Sequence, residues 1–363
     1  MNWNRIFRTG IATMAIALSV SVQAATSNGV VVSISPDKHM LGKSDDVLVN
    51  VTITNTSASP QYVLKWHTPF GEIEESLFDV TRDGVKVPYL GAHYKRPAPT
   101  AADYYVLKPG ASHSSKVELS AIYDMSITGD YVISYDTSSL ALFSAELAGR
   151  GPGAVSREIG EIKSAPVTIW IDGSLPRGTL PKQTTIDDMR AAAAGASLAF
   201  SKCTASQQTT VAQALSAGSA MASSGGAYMA GSLGARYAKW FGAANAARQA
   251  TVTSHFAALK DAFANKPVTV DCGCKKPYYA YVYPAQPYVI YVCKAFWTAP
   301  MTGTDSKGGT LVHEMSHFNV VASTDDWVYG QSGAASLAIS DPAKAIDNAD
   351  SHEYFGENTP ALQ

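Results

Sequence analysis

Cysteine is absent ahead of residue 203 in this 363-residue chain; all four, Cys203, Cys272, Cys274 and Cys293, fall in the second half. The amino-terminal half also lacks any cluster of histidines or carboxylates, so it is expected to bind or shield and not to catalyse. Beyond the leader, no segment reaches roughly 18 consecutive apolar residues, which excludes a membrane anchor and predicts a soluble product. Basic residues are scattered, and from Leu311 onward a single cation, Lys344, stands against Glu314, Asp325, Asp326, Asp341, Asp347, Asp350, Glu353 and Glu357. That excludes a nucleic-acid footprint and leaves an acidic block able to attract basic ligands. Cys272-Gly273-Cys274 with two distant single cysteines lacks zinc-ribbon spacing, so two disulfides are expected instead.

Arg5 and Arg8 precede an apolar run from Ile11 to Val20 that closes on Val22-Gln23-Ala24. This reads as an export signal over residues 1–24 and predicts a secreted protein. About 340 residues remain, more than one core usually serves, so two domains are expected. From Gly29 to about Ile171 the pattern is β-type: Val30–Ile34, Val47–Ile53, Tyr131–Tyr135 and Val167–Ile171 alternate between turn-formers. Short strands so spaced predict an all-β sandwich, immunoglobulin-like, over residues 25–181. Its end is a linker at about 172–181, rich in Gly and Pro. Ala-rich helices are expected at Ile186–Phe200, Thr209–Ala222 and Ala247–Ala264. A β interval at Tyr278–Tyr283 and Tyr288–Val292 follows, with helix resuming at Gly309.

Within that last helix lies His313-Glu314-Met315-Ser316-His317. Helical spacing puts both imidazoles on one face, one turn apart, where they can share an ion, and Glu314 stands beside it to take a proton from bound water. A catalytic zinc needs a third protein ligand and one open position. Asp325, Asp326 and His352 are the candidates, and spacing alone leaves that choice open.

His-Glu-x-x-His followed by Thr324-x-Asp326-x-x-Tyr329-Gly330 resembles the aspzincins, the deuterolysin-like metalloendopeptidases. The resemblance implies Asp326 as third zinc ligand and Tyr329 as donor to the developing oxyanion, although Ser323 stands where the family usually has Gly. Phe296-Trp297, Thr302-Gly303-Thr304-Asp305-Ser306, Gly309–Glu314 and Asn348–Phe355 with Glu357-Asn358 narrow it to the peptidyl-Lys metalloendopeptidases. That branch implies Cys203 bridged to Cys272 and Cys274 to Cys293. It also implies a mainly α (α+β) zincin-type catalytic domain over residues 182–363 with a small β element. The likeness runs from about Cys203 to the carboxy terminus and takes in nothing of the amino-terminal half.

The implied reaction is zinc-dependent hydrolysis of peptide bonds in protein or peptide substrates. The metal lowers the pKa of its water toward about 7, Glu314 relays the proton to the leaving amine, and no organic cofactor is needed. Asp350 and Glu353, three apart on a helix, share a face; in the branch, the matching acids bind the lysine that follows the cleaved bond. Residues 25–181 are then expected to be a propeptide, removed by the enzyme itself ahead of Lys182. Two alternatives are a deuterolysin-like protease of broader basic preference and a secreted binding module whose zinc is closed by a fourth ligand such as His352.

Overall fold

A computed structural model describes residues 27–43, 45–151, 158–173 and 198–363 of the chain. The expected export signal, Lys182, residues 174–181 of the linker and residues 186–197 of the first expected helix lie outside the described residues.

The amino-terminal region is β-rich. Leu48–Asn55 alternates half-buried and buried positions, sending Val49, Val51 and Ile53 inward, as a strand with one face on a core must. It is flanked by the antiparallel strands Val30–Pro36 and Ser112–Glu118. A second sheet is centred on Gly129–Ser139, which pairs antiparallel with Phe78–Arg82 and Val167–Ile171. Val32, Val51, Val80, Ile133 and Ile169 from the two sheets share one hydrophobic core.

From residue 198 the chain is α+β. Leu198–Ser201, Val268–Asp271 and Val289–Val292 run parallel, and Ala280–Val282 adds antiparallel to the last of them. Leu198-Ala199-Phe200 is therefore strand and not the end of a helix: a ladder to Val268, Thr269 and Val270 overrides local helix propensity. Helix begins at Ala205 instead, where Thr204 and Gln207 form a reciprocal capping box, and it runs to Met229. Further helices span Ala246–Asn265, Lys307–His317 and Ala349–Glu357. No helix among the described residues is long and apolar enough to cross a membrane. Disulfides join Cys203 to Cys272 and Cys274 to Cys293, the pairing implied by the resemblance.

The two regions share a sheet. The fifth strand, beyond Ala280–Val282, is His93–Lys95 from the amino-terminal region, antiparallel and in register Tyr281 to Tyr94. Leu140 packs with Val328, Leu337 and Ala345, and the Ser139 hydroxyl donates to the Trp327 carbonyl at 2.9 Å.

Candidate active site

Every residue of the helix Lys307–His317 is buried. Ser306 caps it, its hydroxyl accepting from Gly309 N at 2.9 Å. Gly309 lets the Ala349–Glu357 helix come close, since a Cβ there would lie 2.2 Å from Glu357 Oε1 and 3.0 Å from Glu353 Cγ. The imidazoles of His313 and His317 face each other one turn apart, Nε2 to Nε2 at 3.1 Å. Of the other ring nitrogens, His317 Nδ1 is hydrogen-bonded to the Thr324 carbonyl at 2.7 Å, and His313 Nδ1 lies 2.9 Å from Asp350 Oδ1 as a charge contact outside hydrogen-bond geometry. A carbonyl only accepts, so His317 carries its proton on Nδ1 and turns a lone pair inward.

The chain then reverses. Ser323 sits at φ 51°, a left-handed conformation that favours glycine, which accounts for the glycine usual at this position. Thr324 returns to the helix through Thr324 N to Ser316 O (3.2 Å) and a Ser316–Thr324 hydroxyl pair at 2.6 Å. Asn348 Oδ1 then accepts from both Trp327 N (3.0 Å) and Val328 N (3.2 Å), pinning the next turn. Between these anchors the Asp326 carboxylate lies 3.3 Å from His313 Nε2 and 3.4 Å from His317 Nε2. Asp325 makes no such approach to the pair; its side chain is 42% exposed, with Oδ1 3.6 Å from His93 Nδ1. His352 is elsewhere: its Nε2 meets His255 Nδ1 at 3.0 Å in a nest with Phe241 and Phe256, and burial, with His255 alongside, lowers its pKa to about 3.

The donor set fits a zinc ion. Bonds of about 2.0–2.1 Å in tetrahedral geometry put donor atoms roughly 3.3 Å apart; here the two imidazole nitrogens are 3.1 Å apart, with Asp326 Oδ1 3.3 Å from His313 Nε2 and Oδ2 3.4 Å from His317 Nε2. Both Asp326 carboxylate oxygens are buried without a hydrogen-bond partner, an arrangement costly unless a cation meets them. Burial opposes charge on all three groups. Even so, the carboxylate holds the His313 and His317 pKa values up, and the two imidazoles hold that of Asp326 well below the usual range.

Glu314 is fully buried beside this set, and burial pushes its pKa up to about 7. Its Oε1 accepts from the backbone N–H of Lys95 at 3.2 Å. Tyr329, also buried, stands across from it, its hydroxyl 2.9 Å from the Tyr94 carbonyl oxygen and 3.2 Å from Glu75 Oε1. Gly330, at φ 85°, turns the chain so that its N–H donates to Asp350 Oδ2 at 2.6 Å.

Asp350 and Glu353 share a buried face of the last helix and enclose an ammonium group. Lys95 Nζ lies 2.8 Å from Asp350 Oδ1, 2.9 Å from Glu353 Oε2 and 3.3 Å from Asp305 Oδ1. The rings of Tyr279 and Tyr354 flank it at 5.6 and 5.2 Å. Burial disfavours the charged lysine, but Asp350 and Glu353 hold its pKa well above the ordinary value. Asp350 thus touches both this ammonium and the ring of His313.

Four participants were missed by sequence reasoning. Asp305 lies inside a segment singled out for its resemblance yet given no role. His93, Lys95 and Arg96 come from the half expected to bind or shield and not to catalyse, and no residue of it was singled out. Their signal is the strand period, which points His93 and Lys95 to one face; nothing local says what that face meets.

The aspzincin family profile, described as lysine-specific metallo-endopeptidase, matches residues 227–357. An extracellular protease of Aeromonas hydrophila is 47% identical over 323 residues, 88% of this chain and 90% of that protein. A peptidyl-Lys metalloendopeptidase of Armillaria mellea is 34% identical over 330 residues, 87% and 88% of the two chains. A solved zinc peptidase from Grifola frondosa is 43% identical, covering 44% of this chain and all of its own, at a TM-score of 0.43. Alignments of such length must enter the amino-terminal half, which corrects the expectation that the likeness begins near Cys203. The chain belongs to the aspzincin family of zinc metalloendopeptidases.

Proposed function

We propose that the chain is the secreted precursor of an endopeptidase that cuts on the amino side of lysine. One zinc ion is held by His313, His317 and Asp326. The observation that carries this reading is the buried Asp350–Glu353 pair enclosing an ammonium, with the backbone nitrogen of that same lysine 3.2 Å from Glu314. A lysine so seated presents the bond on its amino side to the catalytic groups.

When bound, the metal supplies an acidified water and polarises the scissile carbonyl. Glu314 takes the proton and returns it to the leaving nitrogen; a carboxyl group with a pKa near 7 suits both directions. Tyr329 donates to the carbonyl oxygen as it gains charge, a contribution of about 3–4 kcal/mol in comparable sites. Asp350 orients His313 through Nδ1, the outer contact that metal-binding histidines usually require. Residues 25–181 form an immunoglobulin-like propeptide, released by cleavage ahead of Lys182. The Armillaria relative named for peptidyl-Lys cleavage supports the specificity, and the name of the Aeromonas protein supports secretion.

The test is cleavage mapping on an unbiased peptide mixture, with the native enzyme and with Asp350→Asn/Glu353→Gln. Native cuts should fall before lysine, and the double variant should lose that preference. Cuts spread over all basic residues by the native enzyme would favour the broader deuterolysin-like reading, and unchanged selectivity in the variant would reject the pocket.

A further inference from the structure

Residues 93–96 enter the cleft as a peptide substrate would. The strand His93–Lys95 adds antiparallel to the edge strand Ala280–Val282, a recurring way for an extended peptide to dock on a sheet edge. Both ends of one peptide bond face catalytic groups: the Tyr94 carbonyl oxygen lies 2.9 Å from the Tyr329 hydroxyl, and Lys95 N lies 3.2 Å from Glu314 Oε1. The Lys95 ammonium fills the acidic pocket.

Two residues earlier, on the same face, His93 approaches two of the three metal-site residues, His317 and Asp326. Its ring centroid is 4.9 Å from that of His317. Ligand atoms of His93, His317 and Asp326 all lie within 4.8 Å of one another. His93 Nδ1 is buried without a hydrogen-bond partner, its nearest carboxylate oxygen, Asp325 Oδ1, standing 3.6 Å away. A second cluster able to hold a cation, His313 with Asp350 and Glu353, already has one in the Lys95 ammonium.

We propose that in the full-length chain His93 is a fourth ligand to the metal, and that the Tyr94–Lys95 bond is held beside it as a bound but uncut substrate. Three protein ligands leave one position for water; the His93 imidazole, as fourth ligand, takes that position, so the bond sits at the catalytic groups without its nucleophile. Arg96 secures the segment from the opposite face. It pairs with Glu75 and with Glu74 Oε2 (3.2 Å), donates to the Tyr329 hydroxyl at 2.8 Å, and stacks among Trp66, Tyr94 and Tyr278. The oxyanion donor, the base, the lysine pocket and the open metal position are thus all engaged by residues 93–96. His93 has this role only if His313, His317 and Asp326 hold the metal, as proposed above.

The experiment uses full-length chains carrying Glu314→Ala to prevent self-cutting, loaded with zinc. X-ray absorption should count three imidazoles on the metal, and two after His93→Ala or His93→Gln. Outer contacts alone change metal affinity by about 10–100-fold, so both His93 variants should lose zinc to a chelator at least about tenfold faster. Two imidazoles in the parent, with zinc loss unchanged in both variants while Asp326→Ala loses its zinc, would overturn the role of His93 and leave the triad standing. Zinc retained by Asp326→Ala would overturn the triad and His93 with it. A labelled peptide with a central lysine should bind the His93→Ala/Lys95→Ala chain at least about tenfold more tightly than the parent, because the free pocket is no longer a minor state. Equal binding would overturn the occupancy.

Discussion

The sheets of the amino-terminal region are mainly antiparallel and bury Val, Ile and Tyr against each other, whereas the sheet beneath the metal site is parallel in three strands and accepts its fifth from far upstream. In the first kind of sheet, polar residues on alternate positions face solvent. In the second, His93 and Lys95 alternate in the same way and yet are covered, because what they face is itself charged. A polar face in a strand therefore identifies either a surface or half of a complementary site, and the strand does not say which.

The largest expected effect falls wholly within the carboxy-terminal region. Glu314→Gln should lower turnover by about 10²–10⁴-fold, the usual range for a general base, with zinc content unchanged. Loss of zinc along with activity would make Glu314 a ligand instead. Next comes the joint between the regions. Lys95→Met leaves Asp350 and Glu353 facing each other without a cation, and breaking a buried pair costs about 3–5 kcal/mol. Hydrogen exchange at 93–95 and 280–282 should accelerate together in that variant, while protection across Leu48–Asn55 stays as it was. Loss of protection in both places would mean that the two regions unfold as one.

Disulfides separate the regions again. Removing Cys274–Cys293, which spans 19 residues, should cost about 3 kcal/mol on loop-entropy grounds. Calorimetry should register this in the carboxy-terminal transition alone.

The smallest effect is on acid stability, and it touches both regions. Burial lowers the pKa values of His67 to about 3, His255 to about 4 and His352 to about 3. A depressed value means that the unfolded chain binds the proton first. Their contribution is therefore complete above the ordinary histidine value near 6.5 and is lost as pH falls toward 3–4. At pH 5 each should cost about 2 kcal/mol. His352→Gln should flatten the acid limb of the carboxy-terminal transition and leave zinc content unchanged; diminished zinc would return His352 to the list of ligands.

Local spacing and composition made much of the architecture readable. The β-type alternation of the first half, the change of pattern near residue 172, and the helix carrying His313 and His317 all follow from residue periodicities that act over a few positions. The end of the helix expected over Ile186–Phe200 shows the limit of such short-range signals: Ala-rich composition favours helix locally, and only the ladder to Val268–Val270 makes Leu198–Phe200 strand. The disulfide pairing followed from resemblance, since four cysteines in any sequence admit three connectivities.

Sequence by itself determined that His313 and His317 must face one another, because an α-helix repeats every 3.6 residues, and that Asp350 and Glu353 share a face for the same reason. Only the tertiary structure brings the Asp326 carboxylate, and not that of Asp325, beside the two imidazoles, because the hydrogen bonds of Thr324 and Asn348 fix the turn between them. Only it carried His352 into an aromatic nest away from the imidazole pair. And only it brought His93, Lys95 and Arg96 into the cleft, because pairing along a sheet edge joins segments of any separation in the chain, and nothing in the periodicity of either segment names its partner.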